Sequence, residues 1–175
     1  VPFFTTRRTV RLSNHRMVDS PLGPIRLRHD NWPAVIVAVQ APRMPPVMVR
    51  PGREYGSMSI DKQVIPCEKP DRSGWDVRRG VRTRTALVAD RAYELRPTGL
   101  RRAQLRRDGE LLAEVRGSWL DHSPFRTIPG LDARLTWAGW ADATDVAIGQ
   151  SMVVAYGAGA PGAIATVLGV GLGTS

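Results

Sequence analysis

Residues able to do acid–base or nucleophilic chemistry are few in this chain, and they are scattered. The histidines are His15, His29 and His122, and only His29-Asp30 and Asp121-His122 set one beside a carboxylate. Neighbours on a strand point to opposite faces, so adjacency alone makes no acid–base pair. A Ser-His-Asp site could be assembled from Ser118 or Ser123, His122 and a distant aspartate, yet no G-x-S-x-G elbow accompanies them. No Cys/His spacing suits zinc, and neither a calcium loop nor H-E-x-x-H occurs. The single cysteine, Cys67, sits between Pro66 and Glu68 with nothing beside it to lower its pKa, which favours a passive thiol over a nucleophile. One cysteine also forms no intramolecular bridge, which fits a reducing, cytoplasmic setting.

The glycine-rich GAGAPG at residues 157–162 invites comparison with a phosphate loop and fails on context. A P-loop carries Lys-Ser/Thr directly after its last glycine, and a dinucleotide fingerprint needs an acid about 20 residues further on. Here Ala163 follows Gly162, and no acidic residue comes after it. Gly157 and Pro161 serve instead as helix punctuation. The expectation is a protein with no catalytic residue, no metal and no cofactor, hence not an enzyme.

What the chain has in quantity is arginine. Lys62 and Lys69 are the only lysines among 25 basic residues, against 16 acidic ones, for a formal net charge of +9 and a pI near 11.1. Part of that bias reflects genome composition, but such a surface attracts phosphates, lipid headgroups or acidic proteins all the same. Two strand-like stretches concentrate it. VRRGVRTRTALVAD, residues 77–90, sets Val81, Thr83, Thr85 and Leu87 on one face and Arg82, Arg84, Ala86 and Val88 on the other, with the arginines expected outward. LRRAQLRRDGELLAEVRG, residues 100–117, contains the Asp108-Gly109 step of a hairpin turn. A three-residue loop of Arg107, Asp108 and Gly109 would put Ala103, Leu105, Leu111, Ala113 and Val115 on one face. It would also pair Arg106 with Glu110 and Arg102 with Glu114. The candidate anion-binding residues are therefore Arg78, Arg79, Arg82, Arg84, Arg101, Arg102, Arg106 and Arg107. The competing reading is a solvated sheet face. Trp32, Trp75, Trp119, Trp137 and Trp140 suit core plugs better than base-stacking platforms, because no RNA- or DNA-binding signature accompanies them.

The elements that must position these residues are short. Up to about residue 140, apolar or β-branched pieces of four to eight residues alternate with Pro, Gly, Asn or Asp. Strands are expected at 9–12, 25–28, 34–40, 47–50, 57–60, 63–67, 81–89, 92–96, 101–106, 110–116 and 133–137. Pro42, Pro45, Pro46 and Pro51 confine their neighbourhood to edges and loops. With 175 residues, 42% of them hydrophobic, a single domain can bury a core unaided. Its parts are a β-rich stretch at 1–140, a core helix at 141–157 and an apolar tail at 158–175. The opening VPFFTTRRTV lacks the apolar run of an export signal.

From Val146 to Ser175 no side chain is charged. Asp142 or Thr144 can cap a helix starting near Asp145 and running to Gly157. It is apolar on nearly every side, which a surface helix does not tolerate. Gln150, Ser151 and the Gly/Pro break argue against a simple membrane span, and about 12 residues is the length of a buried core helix. Such a fold is mainly β, an antiparallel barrel or sandwich with an apolar C-terminal helix buried within it.

The stretch AYELRPTGLRRAQLRRDGELLAEVRG followed by DATDVAIGQSMVVAYG, about residues 92–157, resembles tubby-like proteins of the LURP-one and scramblase-related kind. Those have strand pairs with an rdG turn ahead of a hydrophobic helix. The resemblance implies a closed barrel around a central helix, and association with phospholipid headgroups through a basic surface, peripheral to the membrane. Nucleic acid is the second anionic partner to weigh. A structural subunit that forms homo-oligomers through its apolar tail is the third.

Overall fold

The computed structural model describes residues 14–30, 34–52, 55–68, 83–118 and 128–159. The protein is mainly β, with two antiparallel sheets in a sandwich-like arrangement and one C-terminal helix between them. The first sheet is a meander of six strands: β1 (Asn14–Val18), β2 (Ile25–Asp30), β3 (Ile36–Gln40), β4 (Val47–Arg50), β5 (Ser57–Ile60) and β6 (Gln63–Ile65). The second repeats the plan with β7 (Cys67–Glu68), β8 (Arg84–Val88), β9 (Arg91–Gly99), β10 (Arg102–Arg107), β11 (Glu110–Arg116) and β12 (Arg134–Trp137). Alternation is clearest in β2: in IRLRHD, Ile25, Leu27 and His29 are buried while Arg26 and Arg28 face water.

Three hairpins close on two-residue turns, Asp61-Lys62, Ala89-Asp90 and Asp108-Gly109, with positive φ at both central positions of each. Positive φ at both positions is what the twist of the flanking strands requires.

The helix α1 (Ala143–Tyr156) lies against β3, β4 and β5 on one side and β9 on the other. Having a sheet on each side explains why it needs no polar face. Every residue from Asp145 to Tyr156 is buried. Asp142 is the N-cap of a complete capping box: its carboxylate accepts from the Asp145 N–H at 2.9 Å, and the Asp145 carboxylate accepts from the Asp142 N–H at 3.0 Å. At the other end Gly157, at φ +85°, donates its N–H to the Val153 carbonyl at 2.8 Å and turns the chain out of the helix. The helix side chains interlock with the sheets closely. A Cβ on Gly149 would collide with Leu105 and Trp137, and one on Gly130 would strike the Val153 carbonyl. Among the described residues no helix is long and apolar enough to cross a membrane.

Three expectations need correction. The closed barrel implied by the tubby-like resemblance does not form, and the tubby-like reading falls with it: each sheet stays open. On one side the chain passes from sheet to sheet at Pro66, between β6 and β7, where proline has no N–H to continue a ladder. On the other side, among the described residues, β1 pairs only with β2 and β12 only with β11. The stretch around β8 divides into the expected faces, but they are inverted. Arg84 and Ala86 point inward, while Thr85 and Leu87 are exposed. The β10–β11 hairpin turns on Asp108-Gly109 alone, pairing Arg107 with Glu110, and then takes in an extra residue at Leu112, so that Leu105 faces Ala113. Ala103, Leu105, Ala113 and Val115 are buried as expected, whereas Leu111 is exposed. Every cross-strand pair beyond the bulge moves by two residues.

Candidate anion-binding cleft

The side on which the sheets fail to meet is a cleft of about 910 Å³. Arg16 and Asp19 line it from the β1 side, and Arg116, Asp132 and Arg134 from the β12 side, with Arg101 at the β9–β10 turn. Val18, Leu131 and Leu135 add apolar wall. Arg16 is level with the inward-facing Leu27, so it reaches between the sheets and bonds Asp132 at 2.6 Å. This side-chain pair bridges the gap that backbone pairing leaves open.

Beside the cleft, the shifted register of β10, β11 and β12 sets Arg102 opposite Arg116 and Arg116 opposite Arg134. All three are exposed. Strands lie about 4.8 Å apart, so the three arginines stand in one lateral row across the outer face. Like charges directly opposite each other are destabilising. No carboxylate among the described residues pairs with any of the three. The next row is Arg96, Gln104, Glu114 and Thr136, with a single acid. Positive charge on this sheet is thus concentrated at the cleft end.

The opposite end of the same strands carries a second charged cluster, built differently. Asp145, fully buried at the start of α1, accepts from Tyr93 Oη at 2.9 Å and Arg91 at 3.2 Å on one oxygen. Its other oxygen accepts from Arg107 at 2.6 Å and the Asp142 N–H at 3.0 Å. Arg91 also bonds Asp142 at 2.5 Å, and Arg107 lies over the Trp140 ring, 4.5 Å from its centroid. Two carboxylates face two guanidinium groups. Burial works against ionising Asp142, but the Asp145 N–H and Arg91 outweigh it and hold the carboxyl below its ordinary range. Burial, then the bond to Asp145, pushes the Tyr93 phenol up. Hydrogen bonds to the carboxylates push Arg91 and Arg107 up as well, Arg91 through Asp142 and Arg107 through Asp145. This cluster is saturated and holds the helix end in place.

No protein-family model matches the chain, and no curated protein or solved structure is significantly similar to it.

The function therefore has to be read from the residues. Of the eight arginines named from the sequence, Arg78, Arg79 and Arg82 lie outside the described residues. Arg84 does not belong to a surface: it is 5% exposed, with its guanidinium 5.0 Å from the Tyr156 ring centroid. Arg106 bonds Gln104 and the Gly109 carbonyl, and Arg107 is committed to Asp145. Arg101 lines the cleft, where Arg16, Arg116 and Arg134 join it, and Arg102 stands beside it, opposite Arg116. Arg116 was missed because the three-residue loop set Glu114 opposite Arg102, and Arg16 because no strand was expected at Asn14–Val18. Adding the bulge at Leu112 to the same pattern of buried residues sets Arg102 opposite Arg116; the third member, Arg134, comes from the pairing of β12 with β11.

His29 is buried on the inner face of β2, and His122, Ser123 and Asp121 lie outside the described residues. Among the described residues no His, Cys, Asp and Glu side chains gather as a metal site. Burial pushes the Cys67 thiol up, against the opposing influence of Tyr156 and Arg84.

Proposed function

We infer that the chain is a non-catalytic binding module for an anionic partner, engaged by the arginine row and the adjoining cleft. One observation carries this reading: Arg102, Arg116 and Arg134 stand in one cross-strand row with no acid paired to them among the described residues. A row of like charge costs stability in the free protein, and an incoming polyanion removes that cost on binding. The preference for lipid headgroups rested on the tubby-like resemblance and loses its support with it. The chemistry that remains is recognition of an extended polyanion.

The test is fluorescence anisotropy with labelled poly-glutamate and a labelled single-stranded oligonucleotide, titrated at several salt concentrations. Replacing Arg102, Arg116 and Arg134 together by alanine should weaken the bound polyanion about tenfold or more, and flatten the salt dependence by about one charge per lost contact. If the triple variant binds both probes as the parent does, with the same salt slope, the arginine row is only a solvated sheet face.

A further inference from the structure

The cleft pairs its charge with a second feature, a strand edge. Among the described residues β12 is hydrogen-bonded to β11 alone, so alternate N–H and C=O groups of Arg134–Trp137 face the cleft side without a strand to receive them. An exposed edge is a template for one more strand. The β12 side chains alternate in a way that defines what such a strand should carry. Arg134 and Thr136 project outward and are exposed, while Ala133, Leu135 and Trp137 face inward toward the helix. A residue set opposite Arg134 would extend the row Arg102–Arg116–Arg134 by one place, about 4.8 Å further on. An acid there meets a guanidinium directly across the strand pair. Its neighbours on either side would turn inward, onto Val18, Leu131 and Leu135 of the cleft wall.

We propose that the occupant is an acidic peptide segment in extended form, alternating acidic with apolar residues, which adds to the edge of β12 as a further strand. This rests on the polyanion reading above and narrows it. A nucleic acid would satisfy the arginines but has no use for the backbone groups of a strand edge or for an inward apolar wall.

The test uses the full chain and a capped eight-residue peptide of alternating glutamate and valine. Two versions keep its charge and differ only in backbone: one is N-methylated at every glutamate, the other at every valine. An added strand presents only one of these sets of N–H groups to β12. One version should therefore lose about tenfold or more in affinity while the other binds like the parent peptide. Equal behaviour of the two versions, whether both bind or both fail, overturns strand addition. Polyanion binding survives that result provided the triple arginine variant still loses the parent peptide. If an oligonucleotide binds through the arginines and the peptide does not, the partner is nucleic acid and the proposal is wrong. If the triple variant holds the peptide as tightly as the parent protein does, strand addition at the row and the polyanion reading fall together. Thermal melts of the variants confirm that they are folded, since all three arginines are exposed.

Discussion

The two ends of β10 carry the same residue type and put it to opposite uses. At one end Arg107 meets a buried carboxylate whose two oxygens accept from Tyr93, Arg91, Arg107 and a backbone N–H. At the other end Arg102 meets Arg116, which meets Arg134. Charge is closed on itself where the helix begins and left open where the sheets fail to join. What an arginine does here is decided by what the fold places beside it: the start of α1 sets Asp145 against Arg107, and the strand register sets Arg116 against Arg102 and Arg134. The closed end stabilises the fold, and the open end costs it stability, a cost that we propose a bound polyanion removes.

The largest test of this contrast is Asp145→Ala. Removing the buried carboxylate leaves Arg107 and Tyr93 without their shared acceptor and dismantles the capping box, so urea unfolding should show a loss of about 3–5 kcal/mol. A loss under about 1 kcal/mol would show that the cluster does not hold the helix end.

Next in size is Gln150→Met. Gln150 lies fully buried in α1, and neither of its amide atoms has a hydrogen-bond partner among the described residues. An apolar side chain of similar shape should raise unfolding free energy by about 1 kcal/mol or more. If the variant is destabilised instead, the amide has a partner such as a buried water.

Smaller, and opposite in sign to the loss at Asp145, is the effect of Arg116→Glu. An acid between Arg102 and Arg134 turns two repulsive pairs into attractive ones, worth about 0.2–1 kcal/mol of added stability each, before screening. Added salt should raise the melting temperature of the parent more than that of the variant.

The smallest effect is one of pH. The Asp142 carboxyl is held below its ordinary range by the Asp145 N–H and Arg91, against burial, which opposes ionisation. Its contribution is complete above the unfolded value of about 3.9 and is lost as pH falls through the lower folded value. Asparagine keeps the helix cap but not the charge. Melting temperatures of Asp142→Asn should therefore fall less steeply than those of the parent as pH drops below about 4.

Most strand positions and the helix were legible in the sequence because they follow from burial alone; β1 was not expected, since Arg16 takes an inward position and Met17 an exposed one, so NHRMV shows no apolar alternation. Alternation located β2 at Ile25 and β11 at Glu110–Arg116, and an uncharged run behind Asp142 located a helix that ends at Gly157. Pairing was less legible. The buried set Ala103, Leu105, Ala113 and Val115 fits two registers that differ by two residues, and only the bulge at Leu112 chooses between them. Facing at β8 was equally undetermined, since an arginine can be buried when its guanidinium lies over a ring, as Arg84 does at Tyr156. Two of the three tight turns, Asp61-Lys62 and Ala89-Asp90, adopt positive φ without glycine and so carry no glycine signal. Closure of the sheets into a barrel depends on whether distant edges meet, and no local pattern encodes that. The cleft lies where they do not, with Arg16 and Arg134 more than a hundred residues apart in the chain.

The open end of β10 is tested most directly by two pairs of melting curves: the parent and Arg116→Glu, each with and without poly-glutamate. Without ligand the variant should melt above the parent. With poly-glutamate the parent should gain stability by mass action and the variant should not. A variant that melts at or below the parent, and that poly-glutamate protects equally well, would contradict the claim that this row is held open for an anion.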